Sequence, residues 1–181
     1  FGASIWADTI IKTKEINPKC TVEVLTPDFK GFDPALTKVF DAGPDIFSHN
    51  VECVERISKA VRAQAVWQRS LEVLKKSIQY GLRTKTGIMV GLGEDVNEVK
   101  STMQQVVDLG VQIFTIGQYL QPTKNHLKVK EYVSKEQFDE VCQSDWFMPD
   151  YYKTLDIEKY VKDKSLKIPD NWLTDSLQTS Y

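Results

Sequence analysis

The fold of this chain is decided by two stretches, TKTGIMVGLGED (residues 84–95) and FTIGQYLQPTKNHLKV (residues 114–129). Each begins as an apolar, strand-like run and then breaks into a loop of glycine, amide and charged residues. Binding sites of parallel α/β barrels and sheets lie in such loops, at the carboxyl ends of the strands. The two stretches therefore predict parallel strands that share a binding edge.

Helix-like and strand-like segments alternate outward from these stretches. Apolar periodicity predicts helices over residues 4–16, 34–41 and 54–78 and between Asp95 and Gly110, and apolar or β-branched runs predict strands over residues 21–25, 44–50, 85–90 and 111–116. The connections are long enough for crossover helices, so we expect parallel strands with right-handed crossovers. Asp95 followed by Glu98 predicts a capping box at the start of the last helix.

Four strands are too few to close an eight-stranded barrel. The predicted fold class is therefore α/β, a partial (β/α) barrel with parallel strands over residues 1–141. Residues 142–181 differ in character, being aromatic-rich and charged without clear alternation. We expect them to form a divergent, partly helical tail, with helical pieces near residues 155–161 and 172–177.

Composition restricts the class of protein. The chain has 181 residues, of which 41% are hydrophobic and 27% charged, and its formal net charge is -2. These values are typical of a globular domain and give no basic footprint for nucleic acid. No apolar run approaches the roughly 18 residues of a membrane span, and the first ten residues lack a signal-peptide pattern. We expect a cytoplasmic protein, or one of a mitochondrial or plastid matrix, that binds neither nucleic acid nor membrane.

The three cysteines, Cys20, Cys53 and Cys142, are scattered along the chain. Their spacing fits no CxxC-type metal or redox site and no secreted disulfide framework. We expect buried or incidental thiols and no metal-binding residue in this sequence.

The end of the third predicted strand offers a first candidate site. Gly91 and Gly93 let the backbone approach a flat ligand closely, and Glu94 could accept hydrogen bonds from ligand hydroxyls or amines. An ordinary strand-to-helix turn with a solvated Glu94 fits the same residues, and both interpretations stay open. The spacing is not the GxGxxG dinucleotide fingerprint.

The end of the fourth predicted strand offers a second candidate. Gly117, Gln118 and Tyr119 combine a glycine, an amide and an aromatic ring, which suits an edge that reads adenine or a peptide. A plain polar loop is the alternative. His126, farther along, is more typical of a surface or structural histidine.

A third candidate follows the second predicted strand. Strand alternation puts Asn50 and Glu52 on one side, where a donor and an acceptor suit the vicinal hydroxyls of a ribose. Arg62 could pair with a ligand carboxylate through its planar fork. A helix N-terminus with favourable Asn50 and Glu52 is the alternative. Asp28 lies in a Pro-Asp turn, where a structural role is common.

Four segments in this order resemble lipoyl synthase, a radical S-adenosylmethionine enzyme. They are VEVLTPDFKG (22–31), PDIFSHNVECVERI (44–57), TKTGIMVGLGED (84–95) and TIGQYLQPTKNHLKV (115–129). The resemblance runs from about residue 2 to residue 141. It implies insertion of two sulfurs at C6 and C8 of a protein-bound octanoyl chain, with an octanoylated lipoyl-carrier domain as partner. It also implies two [4Fe–4S] clusters, one that generates a radical from S-adenosylmethionine and one that supplies sulfur.

The resemblance also implies residue roles. Asn50, Glu52 and Arg62 would hold the ribose and methionyl parts of S-adenosylmethionine. The turn of Gly91, Gly93 and Glu94 and the strand end of Gly117, Gln118 and Tyr119 would flank its adenine. These roles agree with the interpretations made from the residues alone. No residue of this chain is expected to be catalytic.

The chain departs from the family in its cysteines. The family's CxxxCxxC motif and second cysteine triad do not occur in this sequence, and Cys20 and Cys53 cannot replace them because a cluster needs three or four convergent thiolates. The family's terminal Arg-Ser-Ser-Tyr is matched only by Gln178-Thr-Ser-Tyr181. We therefore expect a fragment, a frameshifted product or a degenerate homologue that is not competent alone. The alternative is a non-catalytic module that binds a nucleoside or a carrier protein.

Overall fold

The computed structural model describes residues 2–142 of the chain. The chain divides into two compact units, residues 1–133 and residues 134–181. In the first unit lie the strands β1 (Glu23–Leu25), β2 (Ile46–Ser48), β3 (Thr84–Val90) and β4 (Ile113–Gln118) and the helices α1 (Ala3–Ile16), α2 (Asp33–Asp41), α3 (Ser58–Val61), α4 (Trp67–Gln79) and α5 (Val96–Asp108). The described part of the second unit is helix α6 (Lys135–Cys142). The helical pieces predicted near residues 155–161 and 172–177, and the Gln178–Tyr181 match, lie outside the described residues.

The four strands form one parallel sheet in the order β1-β2-β3-β4. Each strand follows a helical connection along the chain, as the alternating sequence pattern predicts. The α/β class with parallel strands is therefore confirmed. None of the helices in residues 2–142 has the length and hydrophobicity that a membrane crossing requires.

The two faces of the sheet differ in their cover. One face carries Val24, Phe47 and Ile88, which are buried, and Val24 and Phe47 pack with residues of α1, α2 and α4. Because side chains alternate along a strand, the opposite face carries Leu25, which is 52% exposed, and the exposed Thr115 and Gly117 of β4. We call this second surface the open face.

The helix predicted over residues 54–78 is wrong as a single element. The structure has a 3₁₀ turn at Glu55–Ile57, the short α3, an extended residue at Arg62 and then α4 from Trp67. The apolar residues belong to two surfaces: Ile57 and Val61 pack against a cluster beyond the strand ends, whereas Val73 packs in the core beneath the sheet. A single straight helix over residues 54–78 would be about 37 Å long and could not pack its apolar side chains against both surfaces.

A buried histidine joins three elements at the carboxyl ends of the strands. His49 follows β2 and is 2% exposed. Its Nδ1 lies 2.9 Å from the Thr26 carbonyl oxygen, and its Nε2 lies 3.0 Å from Ser70 Oγ on α4. A carbonyl only accepts, so Nδ1 carries the proton and Nε2 accepts from the serine hydroxyl. Burial lowers the pKa of His49, and the ring is neutral where it makes these contacts.

The depressed pKa of His49 makes stability depend on pH. The unfolded chain, with a histidine pKa near 6.5, takes up a proton that the folded chain resists. The contribution of His49 is therefore present above about pH 6.5 and is lost as the pH falls below it, with a limiting slope of about 1.4 kcal/mol per pH unit. We expect urea titrations between about pH 7.5 and 5.5 to show this slope in the wild type.

Two histidine variants test the assignment. His49→Gln is expected to lose the His49 part of the slope, while His126→Gln, at the exposed second histidine, keeps it. Equal slopes in the wild type and His49→Gln would contradict the role of His49.

Candidate functional site

Three polar side chains come together just beyond β2. The Asn50 amide and the Arg62 guanidinium both lie close enough to the Glu52 carboxylate to favour its charged form. Asn50 lies over the open face, since its Oδ1 is 3.3 Å from the position that a β-carbon on Gly87 would take. The structure therefore brings together the three residues that the sequence selected as a ribose and carboxylate site.

Glu52 is held in an unusual backbone conformation. Its φ is 73°, in the left-handed region that residues other than glycine seldom adopt. Its N–H donates to the Gly87 carbonyl at 3.0 Å, and its own carbonyl accepts from the Met89 N–H at 2.8 Å. These bonds continue the pairing with β3 past the end of β2. Backbone strain of this kind clusters at binding sites, where the surrounding structure fixes it.

The charges at this site are only partly balanced. Burial raises the pKa of Glu52, while the Arg62 charge and the Asn50 amide oppose the rise. Within residues 2–142, Arg62 makes no ion pair closer than 4.0 Å. A carboxylate acceptor, an amide and a guanidinium thus stand together just beyond β2.

The turn after β3 is held by its own glutamate. The Glu94 carboxylate accepts from the Gly91 N–H at 2.5 Å and from the Leu92 N–H at 3.0 Å. Gly91 and Gly93 both have positive φ, at 93° and 105°. Glu94 therefore shapes the turn, and its predicted contact with ligand hydroxyls stays a prediction.

The end of β4 is used to hold the following loop. The Gln118 Nε2 donates to the carbonyls of Val90, Tyr119 and Glu131, and its Oε1 accepts from the Val133 N–H. Sequence analysis assigned Gln118 to a ligand edge and missed this role, for which a glutamine at a strand end gives no distinctive signal. Its contact with adenine stays a prediction.

Tyr119 and Gly117 differ in how much of them a ligand can reach. Tyr119 is 6% exposed, and its hydroxyl donates to the Leu127 carbonyl at 2.9 Å. Gly117, in contrast, has no heavy atom of residues 2–142 within 4 Å of the position of an added β-carbon. Open space therefore lies beside the Gly117 backbone on the open face.

An apolar cluster beneath these residues connects the strand ends. Its buried members are Cys53, Leu92 and Tyr119, and the half-buried residues packed on them are Ile57, Val61, Met89 and Val129. We call this group the edge cluster. The sequence pattern does not predict it, because its members come from three separate stretches of the chain, residues 53–61, 89–92 and 119–129.

Neither Cys20 nor Cys53 belongs to a metal site formed by residues 2–142. Cys53 is buried, and burial raises the pKa of its thiol to about 11. Cys20 is exposed in the loop that precedes β1, at the amino edge of the sheet, whereas Cys53 follows β2 at the carboxyl edge. Across residues 2–142, no three His, Cys, Asp or Glu residues are placed to share a metal ion.

Two other polar residues at this edge, Asp28 and Arg56, have structural partners. Asp28 accepts from the Lys30 N–H and from Arg69 Nε at 2.6 Å, and although burial opposes it, these contacts hold the pKa of Asp28 below its usual value. Arg56 pairs with Glu98 at 2.6 Å, which together with the Asp95 backbone lowers the pKa of Glu98 to about 2. The predicted capping box of Asp95 and Glu98 is present.

Comparisons with known proteins identify the class. The model of the Radical SAM superfamily matches residues 4–106. The chain belongs to the radical SAM superfamily. The SuiB protein of Streptococcus suis, solved bound to S-adenosylmethionine, superimposes with a TM-score of 0.61 at 8% identity over 87% of this chain and 33% of that one. This likeness supports the fold, a partial radical SAM barrel.

Relatives narrow the class to lipoyl synthases. The lipoyl synthase of Parabacteroides distasonis is 51% identical over 139 residues, which are 77% of this chain and 50% of the relative. The Bacteroides thetaiotaomicron enzyme is 46% identical over 88% of this chain and 52% of its own length, and the mitochondrial lipoyl synthase of Nematostella vectensis is 47% identical over 77% and 48%. The resemblance to lipoyl synthase is confirmed, and the chain spans about half the length of these relatives.

The glycine turn after β3 allows a matched pair of substitutions. An added β-carbon at Gly91 would overlap Gln118 Nε2 and the Glu131 carbonyl, whereas at Gly93 it would meet only Lys130 Cγ at an ordinary 3.6 Å. Both positions carry positive φ, so the overlap is what separates them. We expect Gly91→Ala to lower the free energy of unfolding by about 1–3 kcal/mol more than Gly93→Ala. Urea unfolding measures both, and equal losses would contradict the packing described at Gly91.

Proposed function

We propose that the carboxyl edge of this sheet is the S-adenosylmethionine site of a lipoyl synthase. The observation that carries the proposal is the convergence of Asn50, which lies over the open face, with the strained Glu52 and Arg62. A strained acidic residue beside an amide and a guanidinium that forms no ion pair within residues 2–142 suits a ligand with hydroxyls and a carboxylate. The full reaction of which this site would be part is sulfur insertion at C6 and C8 of a protein-bound octanoyl chain.

Each residue has a proposed role. The Glu52 carboxylate accepts hydrogen bonds from the ribose hydroxyls, and Asn50 orients that carboxylate while facing the same ligand. Arg62 binds the methionyl carboxylate through its two-pronged donor geometry. The half-burial of Glu52 strengthens its contacts, because charged hydrogen bonds gain strength away from water.

The adenine would lie along the strand ends of β3 and β4. The open space at Gly117 admits a flat ring against the backbone, and Gly91 and Gly93 shape the facing turn. Glu94, Gln118 and Tyr119 support this surface through their hydrogen bonds to the turn and the loop. Bound S-adenosylmethionine, reduced by one electron from an iron–sulfur cluster, would supply the carbon-centred radical chemistry that unactivated C–H bonds require.

Several comparisons support this proposal. The chain is a radical SAM superfamily member, its relatives are named lipoyl synthases, and the SuiB structure holds S-adenosylmethionine. The partner would be an octanoylated lipoyl-carrier domain. For the compartment we propose the cytoplasm, or a mitochondrial or plastid matrix in a eukaryote, since one relative is named mitochondrial. We assign no iron–sulfur cluster ligand to the described residues, which hold no convergent thiolates.

Calorimetric titration with S-adenosylmethionine tests the site. We expect the wild type to bind, and Glu52→Gln and Arg62→Gln each to weaken the affinity at least about tenfold, since each removes a charged hydrogen bond worth about 1.5–3 kcal/mol. Glu55→Gln is the matched control, because Glu55 is an exposed acid three residues from Glu52.

The controls make the outcome decisive. Circular dichroism establishes that each variant is folded, and Glu55→Gln is expected to bind like the wild type. Equal affinities of the wild type and Glu52→Gln, or an absence of binding by the folded wild type, would contradict the proposed site.

A further inference from the structure

A basic loop lies at the carboxyl edge of the sheet. It comprises residues 120–133, follows β4 and carries three exposed lysines, Lys124, Lys128 and Lys130. Within residues 2–142 none of these three takes part in an ion pair. With the exposed Glu131 counted, the loop has a formal charge of +2 (three lysines less one glutamate), whereas the whole chain has a net charge of -2.

The same loop exposes large apolar side chains. Leu120 is 66% exposed, Leu127 is 39% exposed and Tyr132 is 72% exposed. Exposed apolar groups that alternate with charged ones are typical of a surface that binds another protein, with an apolar centre and a polar rim.

The loop is held in a fixed shape despite its exposure. Gln118 bonds the main chain at Glu131 and Val133, and the Gly91 carbonyl accepts from the Lys130 N–H at 2.8 Å. The Tyr119 hydroxyl donates to the Leu127 carbonyl. A loop that is ordered before binding loses less conformational freedom when a partner docks.

One buried side chain links the loop to the proposed ligand site. Val129, between Lys128 and Lys130, packs in the edge cluster with Cys53 and Val61. Cys53 is the next residue after Glu52, and Val61 directly precedes Arg62. The lysines are therefore attached to the same apolar support as the site residues.

We infer that this basic loop docks the acidic surface of a protein domain that brings its acyl chain to the neighbouring site. The inference rests on the proposed function, because that function requires a substrate attached to a protein. A protein partner is favoured over nucleic acid, since three lysines interleaved with leucine and tyrosine give fewer phosphate contacts than the 6–10 that a DNA-binding surface commonly makes. The lysines steer the encounter, and the apolar side chains provide contact area.

Charge reversal tests the docking surface in the full chain. Binding of a purified octanoylated lipoyl-carrier domain of net negative charge is measured by surface plasmon resonance. We expect Lys124→Glu/Lys128→Glu to bind at least about tenfold more weakly, mainly through slower association. The matched control is Lys19→Glu/Lys75→Glu, which makes the same change in net charge at exposed positions before β1 and on α4.

Salt provides a second readout of the same contact. Raising the salt from about 0.1 M to about 1 M shortens the Debye length from about 10 Å to about 3 Å. We expect this change to weaken the wild type and to have little effect on the loop variant. A wild-type association rate that does not change with salt concentration would contradict the steering role of the lysines.

The outcomes separate the docking surface from the nucleoside site. S-adenosylmethionine titrations of the same proteins are expected to give equal affinities, because neither lysine pair belongs to that site. If S-adenosylmethionine binds normally but the carrier does not bind, the docking surface is overturned and the proposed site is unaffected. The same holds if the two charge-reversal pairs weaken carrier binding equally. If the carrier binds in a loop-dependent way but S-adenosylmethionine does not bind, the proposed site is overturned and the docking surface is unaffected. Tighter loop-dependent binding of duplex DNA than of the carrier would overturn the choice of partner.

Discussion

The main chain of Glu52 is fixed by β3, and the arrangement of the site depends on this constraint. A left-handed conformation costs a residue other than glycine about 1–3 kcal/mol. The two hydrogen bonds to Gly87 and Met89, each worth about 0.5–1.5 kcal/mol net, offset that cost. Because the backbone is fixed in this way, the Glu52 side chain stands beside Asn50 and Arg62. Glu52 therefore combines backbone strain, pairing with β3 and the proposed contact with the ligand.

The features that the sequence predicted well are those with short-range causes. The Asp95 and Glu98 capping box needs only two side chains three residues apart, and the structure contains it. The alternation of apolar strands with amphipathic helices predicted the parallel sheet, whose order follows the chain. Strand alternation also predicted that Asn50 and Glu52 lie close together, although the chain bulges there: Ser48 pairs with Lys85, and Glu52, with a φ of 73°, pairs with Ile88. The residues of four segments resemble lipoyl synthase, and the radical SAM and lipoyl synthase matches confirm that resemblance.

The features that the sequence did not predict depend on partners distant in the chain. The apolar spacing of residues 54–78 is that of one helix, but Val61 and Val73 bury against different surfaces, which periodicity alone cannot distinguish. Gln118 has the composition of a ligand-reading residue, and only the path of the loop 13 to 15 residues later gives its amide other partners. Polar side chains at a strand end can thus serve a loop as well as a ligand.

The proposed nucleoside ligand lies on the open face against the carboxyl edge of the sheet. Titration of the ¹⁵N-labelled chain with S-adenosylmethionine, followed by heteronuclear NMR, measures this position directly. We expect the largest amide shift changes at Asn50, Glu52 and Gly117, with smaller changes along α5 (Val96–Asp108). Changes centred on the groove between Arg56 and α5, or none at saturating ligand, would contradict it.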